Sequence, residues 1–165
     1  MQQKDTVNND EFADISNVPA AGRIVALDPG TKRIGVAICD ELCFTTRPLV
    51  VITRSSWKKL LDNVKNIIAE FDVTALVIGL PLESDGGESE MSAEARDMAR
   101  KFSLSLDIPV YLQDERITSY EAKSRLWSEG KSIKQTRESV DAVAAAIILG
   151  DFLDRVARHT AKITD

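Results

Sequence analysis

Three acidic residues stand at the ends or on the faces of apolar segments: Asp28 in RIVALDPGTKRIGVAI, Glu115 in IPVYLQDERITSYEA and Asp141 in SVDAVAAAIILGDFL. Carboxylates are hard oxygen donors, and a cluster of them suits Mg²⁺ or Mn²⁺. Brought together by an α/β core, these three can hold two divalent ions. One ion would activate water and the other would stabilise the leaving oxygen of a phosphoryl transfer. Three acids are few for two metals, so phosphate oxygens and water must complete the coordination, and metal binding before substrate arrives is expected to be weak. The chemistry implied is that of a metal-dependent phosphodiesterase acting on nucleic acid.

Each acid also has a plainer reading. Asp before Pro29–Gly30 is favoured in turns for backbone reasons alone. Asp114 and Glu115 end an apolar run together, and adjacent strand residues point to opposite faces, so one of them faces a shared cleft; Glu115 has the longer reach. Asp141 is expected to open a strongly apolar helix, where an acid in the first turn suits the helix dipole without any metal. Around these acids, the Thr31 hydroxyl and the Gly30 N–H are candidates to contact phosphate or bound water. Lys32 and Arg33 lie in the same hairpin as candidate contacts to the nucleic-acid backbone. Arg116 can clamp a phosphate or neutralise its acidic neighbours. His159 is the single histidine, which argues against a histidine base or a zinc cage, and neither a G-x-S-x-G elbow nor a Walker P-loop occurs.

The elements that must position these residues follow from apolar periodicity. RIVAL and IGVAI read as antiparallel strands joined by the DPGTKR turn, and FTTRPLVVI as a third strand in which Pro48 favours an edge or an irregularity. Trp57, Leu60, Leu61, Val64, Ile67 and Ile68 recur at helical spacing, predicting a helix from about Ser56 to Glu70. ALVIGL reads as a buried strand of the parallel type, and PLESDGGESEMS as a mobile acidic loop. Ala95, Met98, Ala99, Phe102 and Leu106 form the stripe of a second helix, and IPVYLQ a fifth strand. Thr118 and Glu121 form a capping box for a helix burying Ala122 and Leu126. The last helix is expected to start at Ser139 or the turn before it, with Val140, Val143, Ala144, Ile147 and Ile148 as its apolar surface. The order βββαβαβαα predicts an α/β fold with antiparallel strands at one side of a mixed sheet.

The chain has 165 residues, 44% of them hydrophobic, enough for one domain with a substantial core. No run approaches the length of a membrane span. Cys39 and Cys43 are too few for a disulfide scaffold or a zinc site, consistent with free thiols in the cytoplasm. Residues 1–20 carry one lysine against four acids and no apolar run, so they read as a flexible leader rather than a secretory signal. A single domain is expected over 21–157 and a polar tail over 158–165. The formal net charge of −5 does not advertise binding to a phosphate backbone. Between Arg116 and Arg137, however, six basic residues face two acidic ones, and that segment can supply one positive edge.

Four stretches, ALDPGTKRIGVAICD, VIGLPLESDGGES, VYLQDERITSYEA and SVDAVAAAIILGDFLD, resemble in order the YqgF family of Holliday-junction-resolvase-like proteins and pre-16S rRNA nucleases, over about residues 22–156. The resemblance implies a ribonuclease-H-like fold, a five-stranded mixed sheet flanked by helices, with Asp28, Glu115 and Asp141 as the family's three acids and Pro29–Thr31 as its glycine-containing turn. It also implies endonucleolytic processing of the 5′ end of precursor 16S rRNA in the cytoplasm, dependent on Mg²⁺ or Mn²⁺, with cleavage of four-way DNA as the alternative. Two departures stand out. Glu83 occupies the place after GLPL where the family often has Asn, and Ala144 lies where junction resolvases can carry a further acid. A non-catalytic nucleic-acid-binding protein on the same fold is a second alternative. An ATP-binding phosphotransferase is a third, since DPGT is similar to the phosphate-binding hairpin of actin-like folds, which use a second lobe. Junction cleavage implies a dimer with two sites, whereas RNA trimming can proceed on a monomer; the sequence leaves the two states open.

Overall fold

The computed structural model describes residues 14–115 and 133–164. Arg116, the Thr118–Glu121 capping box, Ala122 and Leu126 lie outside the described residues, as do residues 1–13 of the expected leader.

Three strands, β1 (Arg23–Pro29), β2 (Arg33–Cys39) and β3 (Thr46–Thr53), are followed by α1 (Trp57–Phe71), β4 (Val73–Leu80), α2 (Glu90–Ser105), β5 (Val110–Asp114) and the long α3 (Ile133–Thr164). The sheet order is β3-β2-β1-β4-β5. The β1–β2 and β2–β3 pairs are antiparallel, whereas β1–β4 and β4–β5 are parallel. The sheet is therefore mixed, with β1 at its centre. Pro48 sits on edge strand β3, and the β2–β3 register slips between Val36 and Ala37 where Pro48 pairs, as expected for a residue without an N–H to give the ladder.

Alternation along the strands separates two faces. Val25, Leu27, Val36, Leu76 and Ile78 pack with Leu60 and Val64 of α1 and with Met98, Ala99 and Phe102 of α2. Ile24, Ala26, Ala75, Val77 and Tyr111 pack instead beneath Ile148, Leu149 and Phe152 of α3. Ser56 caps α1 by accepting the Lys59 N–H, and the helix stops at Asp72, whose left-handed φ of 52° ends the spiral. Ser89 and Ser92 form a reciprocal capping box at α2, and the buried Ser92 hydroxyl also donates to the Pro81 carbonyl. The acidic loop expected to be mobile is closed on itself. Glu83 N–H donates to Gly87 O, Gly86 N–H to Glu83 O, and Gly87 N–H to Asp85 Oδ1.

The last helix is already formed at Ile133, ahead of the expected start near Ser139, and it runs on through residues 158–164. Its first turn holds no acid. Asp141 therefore lies more than two turns inside α3, too deep for the N-terminal dipole to explain it.

Candidate active site: a carboxylate cluster across three elements

The α3-facing side of the sheet carries Ile24 and Ala26 of β1, and the same alternation brings Asp28 to that side near the strand's end. On β5 the parity that buries Tyr111 under α3 brings Glu115, one residue past the strand, to the same face. Between β1 and β5 runs β4, and there the position beneath the Glu115 side chain is Gly79. A Cβ on Gly79 would stand 2.7 Å from Glu115 Oε2 and 2.8 Å from Ile148 Cδ1. The missing side chain is what lets the Glu115 carboxyl reach across β4 to Asp28.

Asp141 arrives from above. Asp28 pairs in register with Gly35 of β2, and a Cβ on Gly35 would lie 1.8 Å from the Asp141 carbonyl oxygen. The backbone of α3 thus rests directly on the β2 backbone beside Asp28. Ala37, Ala145 and Ala146 continue the close contact with small side chains. Two strand-interior glycines therefore assemble the cluster, one by seating the helix and the other by opening a path for Glu115. The sequence reading passed over both, although a glycine inside a strand pattern is itself a signal of close approach.

The electrostatics match this convergence. Asp28 is held above the usual carboxylate range, first by burial and then by the charge of Asp141, while a hydrogen bond from Glu115 pulls it partly back. Glu115 is pushed well above its ordinary value by burial, by the Asp28 charge and by that same bond, with a further contribution from Asp114. Burial beside Asp28 thus favours the protonated form of Glu115, and the two carboxyl groups hydrogen-bond to each other. Asp141 has a different partner: Arg33 Nε donates to its Oδ2 at 2.8 Å. Among the described residues, no three His, Cys, Asp or Glu side chains already stand at ligand spacing. Three carboxyl groups brought to one face, with Arg33 beside one of them, form an all-oxygen donor set of the kind that fits a hard divalent cation.

The DPGTKR turn shows which of its groups remain available. The Gly30 N–H, expected to meet phosphate, is committed to Arg33 O at 2.9 Å. The Gly30 carbonyl accepts from Arg54 Nη1 at 2.9 Å, and the Arg54 N–H donates to Lys32 O. Arg54 also pairs with Glu94 of α2, so it ties the turn to both α2 and the end of β3, a role the sequence did not signal. Thr31 and Lys32 are exposed. Arg33 lies against Asp141 rather than projecting with them.

A five-stranded mixed sheet in this order, with acids at the ends of its central and edge strands and a third on the helix packed across them, is a ribonuclease-H-like fold. The family model described as RuvX, Holliday junction resolvase, matches residues 22–155, and the chain belongs to that family of nucleases, phosphodiester hydrolases. A protein of Anaeromyxobacter sp. (strain K), named "Putative pre-16S rRNA nuclease", is 40% identical over 135 residues, covering 82% of this chain and 98% of the relative. One of the same name from Syntrophus aciditrophicus (strain SB) is 38% identical over 137 residues, covering 83% and 91%. Among solved structures, Thermus thermophilus RuvC is similar with a TM-score of 0.49 and 15% identity, over 82% of this chain and 96% of that one. No helix among the described residues is long and apolar enough to cross a membrane.

Proposed function

We propose that the protein is a divalent-metal-dependent endonuclease that processes the 5′ end of precursor 16S rRNA, acting in the cytoplasm on the RNA or a pre-ribosomal particle. The observation that carries the reading is the meeting of Asp28, Glu115 and Asp141 on one face of the sheet, where Gly35 seats the Asp141 backbone beside Asp28 and Gly79 leaves room for the Glu115 carboxyl. Asp28, Glu115 and Asp141 would hold Mg²⁺ or Mn²⁺. When bound, the cation supplies charge neutralisation at the phosphoryl group and activation of the attacking water. A cation there would favour the ionised form of Glu115, which would link its binding to pH. Thr31 and Lys32, exposed on the turn that follows Asp28, contact the phosphodiester backbone, joined by Arg116 beyond the described residues. The names of the relatives support the rRNA substrate, and the family match over 22–155 supports taking 21–157 as one domain.

The family description favours a second reading, hydrolysis of four-way DNA. The test compares Mg²⁺- or Mn²⁺-dependent cleavage of a 5′-extended 16S precursor, a four-way DNA junction and a generic single-stranded RNA, with wild type beside Asp28→Asn. Precursor cleavage that drops about a thousandfold or more in Asp28→Asn is expected, because the substitution removes a charge from a site whose ions carry the reaction. Cleavage of the junction alone would replace the rRNA reading with the resolvase. Binding without cleavage of any substrate, even with ribosomal particles added, would leave a nucleic-acid-binding protein.

A further inference from the structure

We infer that Arg33 is the resident counter-ion of Asp141: it occupies this carboxylate in the metal-free protein, weakens divalent-cation binding before substrate arrives, and passes to the phosphodiester when the cation takes Asp141. The inference rests on the metal-dependent reading above.

The placement is built by the fold. Arg33 opens β2 with the same parity as Gly35 and Ala37, so it belongs to the α3 face. The Asp141 backbone is seated on Gly35 two residues along, which brings the carboxylate within reach. Arg33 Nε then donates to Asp141 Oδ2 at 2.8 Å, with the two side chains 36% and 25% exposed. A pair in that position is neither fully screened by water nor locked in the interior, so it is strong enough to matter and able to exchange.

Its consequences for a metal are direct. The guanidinium takes a carboxylate oxygen the cation needs, and its fixed positive charge opposes a divalent ion at short range. Carboxylate and phosphate oxygens present guanidinium with the same kind of charge-assisted hydrogen bond. Exchange of Asp141 for a backbone phosphate therefore conserves Arg33's bonding while freeing the acid. Arg33 is also where the exposed Thr31–Lys32 turn enters the sheet, the end of β2 that a strand held by those residues would meet. The arrangement couples metal loading to substrate arrival.

The test is Mn²⁺ binding by the full chain, followed by the electron paramagnetic resonance of free Mn²⁺. It compares wild type, Arg33→Gln, Arg33→Lys, Lys65→Gln and Asp28→Asn, each checked for an intact thermal transition. Without nucleic acid, Arg33→Gln should bind Mn²⁺ roughly three- to tenfold more tightly than wild type, the range expected for a partly exposed ion pair, with Arg33→Lys between them. Lys65→Gln, exposed on α1 across the sheet, removes a charge but no bond to Asp141 and should change affinity by less than about twofold. Adding a short single-stranded RNA should tighten Mn²⁺ binding in wild type by a larger factor than in Arg33→Gln. Equal or weaker Mn²⁺ binding by Arg33→Gln overturns the proposal. If Asp28→Asn abolishes Mn²⁺ binding while Arg33→Gln leaves it unchanged, only the role of Arg33 falls. If wild type and Asp28→Asn are alike in binding none, the metal-dependent reading falls and takes this one with it.

Discussion

Glu115 shows what the site costs the fold. Burial and the neighbouring Asp28 charge hold its carboxyl well above the ordinary carboxylate range, favouring the protonated form. Its folded pKa is raised above the unfolded value, so its stabilising contribution is complete below the ordinary carboxylate range and is lost as pH rises from there into the alkaline range. Glu115→Gln keeps a donor toward Asp28 without requiring a proton. At pH 8 and without metal, thermal denaturation should find Glu115→Gln more stable than wild type by about 1–2 kcal/mol, roughly 3–6 °C. At pH 5 the two should nearly coincide. Added Mn²⁺ should raise the wild-type midpoint at pH 8 and leave the variant's almost unmoved. A variant that is less stable than wild type at pH 8 would mean that the two carboxyl groups do not share a proton.

One level up, the cluster depends on how elements approach each other, and the two glycines separate positioning from stability. Gly35→Ala forces the Asp141 carbonyl away from β2. Backbone cannot yield as a side chain can, so the cost should be about 2–3 kcal/mol, together with loss of at least a hundredfold in cleavage rate. Gly79→Ala meets the Glu115 carboxyl and the tip of Ile148, both of which can rotate aside. It should cost about 1 kcal/mol or less in urea denaturation, yet lower the rate as Gly35→Ala does, because Glu115 loses its path to Asp28. Equal rates for Gly79→Ala and wild type would show that Glu115 reaches the site by another route. Helix length matters for the same reason. Because α3 is already helical at Ile133, Asp141 sits more than two turns into the helix, not at a fraying end.

For the whole molecule, the decisive feature is that the two faces of one sheet are covered unequally. On one face α1 and α2 share the load, with Trp57 and Phe102 ring centres 4.7 Å apart. On the other, α3 covers β1, β4 and Tyr111 of β5, with Tyr111 and Phe152 ring centres 5.3 Å apart. Phe102 and Phe152 are both fully buried, so either truncation to Ala should cost about 3–5 kcal/mol in a denaturant titration. Their effects on cleavage should diverge when assayed below both transitions. Phe152→Ala loosens the helix that carries Asp141 and should cut the rate at least tenfold, whereas Phe102→Ala, on the opposite face, should leave it within about twofold. Similar losses from both would indicate that the site is not confined to the α3 face.

Asp28, Glu115 and Asp141 stand out as candidates because each is a carboxylate at the boundary of an apolar run, and the five strands and first two helices were legible because their periods of 2 and 3.6 are written locally. The order βββαβ even sets which strands pair antiparallel, since short turns allow nothing else. Three things were decided only by tertiary structure. That α3 is already helical at Ile133 was not written in the local pattern, because residues 134–139 are polar and carry no apolar period. The meeting of the acids needed Gly35 and Gly79 to be opposite the right atoms, which is a matter of register between segments more than 30 residues apart. The engagement of the Gly30 N–H by Arg33 O and of Arg33 by Asp141 likewise depends on partners that the turn's own sequence does not name. A local sequence records which groups a residue can bond to, and only the folded chain determines which partner is near enough to claim them.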